Sequence, residues 1–330
     1  MAGYSKLHRL SWLAALAFLF TGSGAYAARY AVLVGIGEYR PASWRLLAPA
    51  NDLALMQDAC RRWGIPAPNV SVLRDLSATK SAVLNALRRA GQAAQSGDML
   101  TFYFTGHAVL VADIYGPHPG DERQHQPPDG DDEALVVADS RPRDPMSFLL
   151  DDELADVLEP LQRKGVHIVC IFDCCFAYDG IRAGGEELGA MKTIREEAPE
   201  DDSPVTGTVK AYRASVPGVL DFKGPLLVAA AGPRQTIREV YWSMGQLKIP
   251  MSPLTLGIWA MAAQSQDWTD LLTRLQAFHT RRRFTWQPAT QGNGTWRSCL
   301  PLSSGGTLAM RDKNHKYYSV KCDALVGLVR

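Results

Sequence analysis

Mostly apolar segments alternate along this chain with segments whose apolar residues recur at helical spacing. Residues 29–37 (RYAVLVGIG), 98–107 (DMLTFYFTGH) and 165–173 (GVHIVCIFD) are of the first kind. Apolar residues on both faces are typical of strands buried within a parallel sheet. Residues 51–64 and 79–95 have the spacing and boundary residues of helices. The alternation predicts an α/β fold, a three-layer sandwich with a mainly parallel central sheet flanked by helices.

The remaining predicted elements continue the same alternation. Further strands are expected at 69–75, 133–139 and 224–232, and further helices at 149–162, 252–264 and 267–283. Residues 178–222 lack this periodicity and are rich in charge, which predicts a long flexible loop within a single domain spanning residues 28–330. A net charge of +1 gives no indication of nucleic-acid binding.

The first 27 residues have the pattern of a secretory signal peptide. Lys6 and Arg9 precede an apolar run at 10–20, and small residues lead to an Ala-x-Ala ending at Ala27. The alternative is an N-terminal membrane anchor, but a comfortable span needs about 20 apolar residues. We therefore expect cleavage after Ala27, leaving an exported protein, periplasmic or secreted, with no membrane span.

Export affects the interpretation of the six cysteines, because disulfides form in oxidising compartments. Cys299 and Cys322 both lie in the polar C-terminal region and are predicted to bridge. Cys60 and Cys170 lie among apolar residues at helical and strand positions, which predicts that both are core residues.

The adjacent Cys174 and Cys175 follow a predicted strand directly. A disulfide between neighbours is unfavourable because disulfide geometry is demanding. A zinc site would need further ligands, and the sequence has no Cys-x-x-Cys. A nucleophilic thiol has more support, because a thiol directly after a strand is held rigidly and a nearby histidine can take its proton. Because side chains alternate along a strand, Asp173 and Cys175 share one side and Cys174 is expected to point into the core.

His107 follows another predicted strand, at the edge of the sheet where ligands bind in α/β folds. A histidine beside a cysteine can take the thiol proton and so create the nucleophile. His107 alone is equally compatible with a structural role. Together with Cys175 at the same sheet edge, it favours catalysis.

A set of motifs in order along residues 29–292 resembles the bacterial metacaspases, or orthocaspases, which are caspase-like cysteine peptidases of peptidase family C14. The motifs are YAVLVGIGEY, PANDLALM, FYFTGH, DGDDEALVVAD, LLDDELADVL, FDCCFA and LLVAAAG. The resemblance implies a caspase-like fold in which His107 is the catalytic histidine and Cys175 the nucleophile. It implies protein or peptide substrates cut after Arg or Lys, with no cofactor required.

The resemblance also implies the other site residues. Asp52 and Asp173 match the two aspartates of the pocket that binds the substrate Arg or Lys, although Asp52 is also compatible with a helix N-cap or first-turn role. The backbone N–H groups of Ala108 and Cys175 match the donors that stabilise the oxyanion. Ala108 replaces the usual glycine, which matters only where the backbone needs a positive φ.

Calcium stimulates many members of this family through an aspartate cluster. Asp132, Asp151 and Asp152 match three of its positions, and carboxylates suit this cation. The fourth position is Arg182 here, and Asp179 is a candidate substitute. The alternative is a solvated acidic loop followed by an acidic helix start.

The segment after the nucleophile differs from the family pattern. Residues 176–178 are Phe-Ala-Tyr where the family has His-Ser-Gly, and this motivates an alternative function as a non-catalytic, caspase-like module that binds peptides or partners. A third interpretation is a redox protein that uses the vicinal thiols. Relatives often cut themselves in the following loop, where the candidate sites are Arg182, Lys192, Arg195, Lys210 and Arg213.

Overall fold

The computed structural model describes residues 27–112, 131–142, 144–174, 188–191, 226–230, 237–265, 267–284, 288–291 and 306–329. Its strands are β1 (Arg29–Gly35), β2 (Val70–Arg74), β3 (Met99–Thr105), β4 (Ala108–Ala112), β5 (Asp131–Leu135), β6 (Leu149–Leu150), β7 (His167–Asp173), β8 (Leu188–Met191), β9 (Leu226–Ala229), β10 (Arg238–Met244), β11 (Leu247–Met251), β12 (Ala289–Gln291), β13 (Thr307–Arg311) and β14 (Tyr317–Lys321). Its α-helices are α1 (Ala48–Arg62), α2 (Lys80–Ala93), α3 (Asp151–Arg163), α4 (Pro253–Met261), α5 (Trp268–Arg281) and α6 (Cys322–Gly327).

The central sheet has the strand order β12-β9-β7-β3-β1-β2. All neighbours are parallel except β12, which runs antiparallel to β9. The apolar side chains of these strands divide between two hydrophobic clusters. One cluster contains α1, α4 and α5, and the other contains α2 and α3. The mainly parallel sheet with helices on both faces confirms the predicted three-layer α/β fold.

Three smaller sheets accompany the central one. They are β11-β10-β8, β4-β5-β6 and the hairpin β13-β14. The strand β8 lies inside the predicted loop 178–222, so that prediction is wrong at residues 188–191, and the rest of the loop lies outside the described residues. Residues 1–26 also lie outside them. Within the described part of the chain, no helix has the length and apolar character needed to cross a membrane.

The predicted strand 98–107 ends two residues early, at Thr105. Gly106 lies at the break that follows, and a Cβ atom at this position would lie 2.6 Å from the Tyr39 hydroxyl, so a larger residue would displace Tyr39. His107 therefore follows the break, and Ala108 begins a separate strand, β4, that pairs with β5.

The cysteine predictions have mixed outcomes. Cys60 and Cys170 are fully buried in the two hydrophobic clusters, as expected. Cys322 is a free thiol whose Sγ accepts a hydrogen bond from Arg62 Nη2 at 3.6 Å. The structure therefore does not contain the predicted bridge to Cys299, which itself lies outside the described residues. The Arg62 guanidinium supplies Cys322 with a polar partner that sequence spacing does not reveal.

Candidate active site

The carboxyl ends of β3 and β7 lie side by side in the centre of the sheet, where Thr105 pairs with Asp173. His107 follows Thr105 by two residues, and the sequence reaches Cys175 two residues after Asp173. Neighbouring strands in a sheet are about 4.8 Å apart. Cys175 lies outside the described residues, as does the segment 176–178, but the two strands that lead to His107 and Cys175 are adjacent and in register.

His107 is buried and is held by two residues from the segment after β1. Its Nε2 lies 2.7 Å from the backbone oxygen of Trp44. A carbonyl oxygen only accepts hydrogen bonds, so Nε2 carries the proton, and the neutral ring has its lone pair on Nδ1. The tautomer that a general base needs at Nδ1 is therefore set by a backbone group.

Tyr39 is the second residue that holds His107. The backbone N–H of His107 donates to the Tyr39 hydroxyl at 2.9 Å, and that hydroxyl donates to the Val136 carbonyl at 3.3 Å. Burial raises the pKa of Tyr39 well above its ordinary value, so its hydroxyl stays protonated and can make both bonds. The ring centroids of Tyr39 and His107 are 5.2 Å apart. Sequence reasoning missed both Tyr39 and Trp44.

Trp44 closes a short 3-10 helix, Ala42–Trp44, in the connection between β1 and α1. Gly37 anchors this connection at both ends. Its N–H donates to Asp75 Oδ1 at 2.9 Å, and its carbonyl accepts the N–H of Leu46 at 2.9 Å. The loop that presents the Trp44 carbonyl to His107 is thus tied to the end of β1.

Asp52 is fully buried (0% exposed) in the second turn of α1. Its Oδ1 accepts the backbone N–H of Ser252 at 2.8 Å, and its Oδ2 accepts the Thr105 hydroxyl at 3.2 Å. The alternative interpretation of Asp52 as an N-cap is wrong, because α1 begins earlier than the sequence predicts, at Ala48.

A different carboxylate binds the first N–H groups of α1. Glu239, buried on β10, accepts hydrogen bonds from the N–H of Leu47, at 2.6 Å, and from the N–H of Ala48. A carboxylate at this position satisfies two N–H groups that have no partner within the helix and complements the helix dipole. Asp52 is thereby left to point toward the ends of the sheet strands.

Asp173 is the other predicted pocket residue, and it is also 0% exposed. Its Oδ1 accepts the Ser252 hydroxyl at 2.7 Å, and its Oδ2 accepts the Thr255 hydroxyl at 2.6 Å. Burial, followed by the nearby charges of Asp173 and Asp52, raises the pKa of Tyr103, whose hydroxyl lies 2.7 Å from Thr255 Oγ1. The two carboxylates are therefore brought together, with Ser252 bound to both.

Sequence reasoning missed Ser252 and Thr255. The Ser-Pro pair at 252–253 has the appearance of a helix start, which favours a capping role for the serine. Ser252 does precede α4, but its side chain makes no capping hydrogen bond within the helix. Its hydroxyl points to Asp173 instead, which only the packing of α4 against the sheet reveals.

Cys174 is buried in the hydrophobic cluster that contains Phe172, on the face of the sheet away from Tyr103 and Asp52. This burial confirms the prediction that Cys174 points into the core. Ala108 is also fully buried, and its φ is not positive, so alanine is compatible with this position in place of glycine.

The three predicted calcium ligands are only partly described. Asp151 and Asp152 occupy the first turn of α3, and Glu153 accepts the backbone N–H of Leu150 at 3.1 Å, as in an acidic helix start. Asp132 lies in β5, but neither its side chain nor Asp179 is among the described residues. Within the described part of the chain, no group of three or more His, Cys, Asp or Glu side chains is arranged to hold a metal ion.

The part of the chain that carries these residues is similar in sequence to known proteins. Residues 29–181 match the model of the metacaspase, peptidase C14 domain. Metacaspase III c of Phaeodactylum tricornutum is 28% identical over 44% of this chain and 42% of that protein. Metacaspase-4 of Arabidopsis thaliana is 26% identical over 59% of this chain and 45% of that protein. The chain spans about half the length of the curated relatives that it matches.

Among solved structures, caspase-1 of Spodoptera frugiperda is 13% identical, with a TM-score of 0.46, over 81% of this chain and 87% of that one. The segment matched by the family model carries β1, β3, β7 and the residues Asp52, His107 and Asp173. Residues 29–181, just under half of the chain, are similar to the metacaspase, peptidase C14 domain.

Proposed function

We propose that this protein is a cysteine endopeptidase that cuts protein substrates after Arg or Lys with a His107–Cys175 dyad. The observation that carries the proposal is the register of β3 and β7, in which Thr105 pairs with Asp173. Two residues beyond this pair, the sequence reaches His107 after β3 and Cys175 after β7. The similarity of residues 29–181 to the metacaspase, peptidase C14 domain also supports the proposal.

In this mechanism His107 Nδ1 takes the proton of the Cys175 thiol, and the thiolate attacks the substrate carbonyl carbon. The Nε2–H bond to Trp44 O keeps the ring oriented and stabilises the imidazolium that forms. The N–H groups of Ala108 and Cys175 donate to the tetrahedral oxyanion. His107 then gives its proton to the amine nitrogen, the C–N bond breaks as the oxyanion re-forms a carbonyl, and the amine leaves a thioester on Cys175.

Hydrolysis of the thioester completes the cycle. His107 removes a proton from water, the hydroxide attacks the thioester carbon, and the C–S bond breaks. The Cys175 thiolate leaves and recovers its proton from His107. No metal or redox cofactor is needed for either half of this sequence.

The specificity proposal rests on Asp52 and Asp173. These two buried carboxylates are linked through Ser252 and lie beside the carboxyl ends of the strands that lead to the proposed dyad. A guanidinium or ammonium group satisfies such a site, whereas an acidic side chain is repelled. We therefore expect cleavage after Arg or Lys and none after Asp.

Export after removal of residues 1–27, self-cleavage between 182 and 213 and stimulation by calcium are further proposals. Two of the aspartates proposed for calcium, Asp151 and Asp152, are adjacent at the start of α3. Isothermal calorimetry with calcium tests the site directly. Heat of binding that disappears in the Asp151→Asn variant would support it, and the absence of heat in the wild type would refute it.

The decisive experiment compares fluorogenic peptides that end in Arg, Lys or Asp, with and without calcium, on residues 28–330 under reducing conditions. The variant is Cys175→Ala, and the matched control is Cys174→Ala, which removes the neighbouring buried thiol. The proposal predicts turnover of Arg and Lys peptides that is lost in Cys175→Ala and retained in Cys174→Ala. Full activity of Cys175→Ala would refute the dyad. A folded, reduced and inactive wild type would favour the non-catalytic binding module.

A further inference from the structure

Ser252 contacts both carboxylates of the proposed specificity pocket through two different groups. Its backbone N–H donates to Asp52 Oδ1 at 2.8 Å, and its hydroxyl donates to Asp173 Oδ1 at 2.7 Å. The residue is 2% exposed and precedes α4, and its carbonyl accepts the N–H of Leu256 at 3.0 Å. The position of this one residue is thus fixed by a helix.

The two contacts have different consequences for substitution. The N–H that binds Asp52 belongs to the backbone and is retained in any residue except proline. The hydroxyl that binds Asp173 belongs to the side chain alone. Replacing Ser252 by alanine therefore leaves Asp52 held and removes one donor from Asp173, which keeps the Thr255 hydroxyl on its other oxygen.

A buried carboxylate is stabilised in its charged form by hydrogen bonds, because no water is present to solvate it. Loss of one donor therefore makes the charged form less stable. It is also less restrained in orientation. A guanidinium binds carboxylates through several N–H groups in a fixed planar arrangement, whereas an ammonium acts as a compact point charge. Loss of orientation at Asp173 consequently weakens binding of Arg more than binding of Lys.

We propose that Ser252 is a positioning residue that sets the spacing of Asp52 and Asp173 and thereby determines a preference for Arg over Lys. This inference rests on the proposed specificity of the pocket. The free energy that a hydrogen bond to a charged group contributes corresponds to about a tenfold change in a binding constant. Ser252→Ala should raise the KM for Arg peptides about tenfold, leave kcat within about twofold, and lower the ratio of Arg to Lys cleavage.

Two further variants make the test specific. Ser252→Thr keeps a hydroxyl, and threonine is acceptable before a helix. Its KM for Arg peptides should therefore stay close to that of the wild type. Ser265→Ala is the matched control, because Ser265 is a buried serine just beyond the other end of α4 whose hydroxyl donates to the Met261 carbonyl at 3.0 Å. It should leave KM and the Arg-to-Lys ratio unchanged. An unchanged KM in Ser252→Ala, or an equal rise in Ser265→Ala, would overturn the role of Ser252.

A binding measurement separates this inference from the proposed peptidase activity. Calorimetry with acetyl-arginine amide on the Cys175→Ala protein measures the affinity of the pocket for an arginine side chain in the absence of turnover. Binding that weakens about tenfold when Ser252→Ala is added supports the inference even if no peptide is cleaved. Failure of the probe to bind, or equal binding with and without the serine hydroxyl, overturns it, whereas loss of turnover alone counts only against the proposed function.

Discussion

The side chain of Asn51 is hydrogen-bonded to both backbone groups of Arg311, 260 residues further along the chain. Its Nδ2 donates to the Arg311 carbonyl at 2.7 Å and to the Pro250 carbonyl at 2.8 Å, and its Oδ1 accepts the Arg311 N–H at 2.6 Å. Asn51 directly precedes Asp52 in α1. The C-terminal hairpin β13-β14, which lies beyond the segment matched by the family model, therefore fixes the helical turn that carries a proposed pocket residue.

Replacing Asn51 by alanine should destabilise the protein by about 3 kcal/mol, because it leaves buried backbone groups of Arg311 and Pro250 without their partner. Urea denaturation of both proteins measures the loss. The control is Asn85→Ala on the exposed face of α2, where a change within about 0.5 kcal/mol is expected. Equal stability of the two variants would contradict a structural role for the contact between Asn51 and Arg311.

Gly37 is expected to affect catalysis through the Trp44 carbonyl. A Cβ atom at position 37 would lie 2.7 Å from the backbone oxygen of Leu46, two residues after Trp44. Because the obstacle is backbone, Gly37→Ala should displace the loop and weaken the bond between Trp44 O and His107 Nε2. We expect kcat to fall about tenfold or more, with a smaller effect on KM, since misplacement of a catalytic group is costly.

Peptide hydrolysis by Gly37→Ala and by Gly327→Ala provides the comparison. A Cβ atom at Gly327 meets no other atom within 4 Å, so this control should keep the activity of the wild type. Wild-type kcat in Gly37→Ala would show that the loop can move without disturbing His107.

Two of the buried thiols should resist alkylation in the folded protein. Burial raises the pKa of Cys60 to about 12, and burial also raises the pKa of Cys322. Since iodoacetamide reacts with the thiolate, both should stay unmodified at pH 7.5 for as long as the protein is folded. Mass spectrometry after timed labelling, with and without denaturant, measures this protection.

Equally fast labelling of Cys60 in folded and denatured protein would refute the expectation. Labelling without a reductant also tests the free thiol of Cys322. If Cys322 stays unreactive in denaturant until a reductant is added, then it is oxidised in solution, as the sequence-based prediction of a bridge with Cys299 requires.

The central strands could be predicted from sequence because β1, β3 and β7 are buried on both faces and therefore read as apolar runs. The β10–β11 hairpin was missed although its signal is present. Two half-buried strands flank a two-residue connection at 245–246, and Gly245 has the positive φ that such turns use. A buried glutamate on β10, Glu239, and a proline within β11, Pro250, are untypical of strands and obscured the pattern.

Some residues of the candidate site can be proposed from sequence, and others are revealed only by the structure. His107, Asp52 and Asp173 could be proposed as site residues from sequence because each lies at a strand end or in a recognisable motif. Ser252, Glu239 and Trp44 could not, since their roles depend on contacts between elements distant in sequence. Trp44 in addition acts through its backbone carbonyl, so its residue type carries no information about the role.

Asp58 on α1 makes a pH-dependent contribution to stability that can be tested by substitution. Its Oδ2 accepts the Trp259 indole N–H at 2.8 Å and a hydrogen bond from Arg62, and its Oδ1 accepts one from Arg61 at 2.7 Å. The Arg62 guanidinium also lies 4.8 Å from the centre of the Trp259 ring. Burial by itself would raise the pKa of Asp58, but these hydrogen bonds outweigh it and hold the pKa below the ordinary value of 3.8.

A carboxyl group whose pKa is lower in the folded state stabilises the protein fully above its unfolded pKa, which is about 3.9 for aspartate. This stabilisation is lost as the pH falls through the folded value. The difference in unfolding free energy between the wild type and Asp58→Asn should therefore be largest near pH 7 and smaller at pH 3. Urea denaturation at both pH values measures it, with Asp270→Asn, which removes an exposed ion pair to Arg274, as the control. A difference between wild type and Asp58→Asn that is the same at both pH values would mean that Asp58 acts through its shape and hydrogen-bond count, and that its charge contributes nothing.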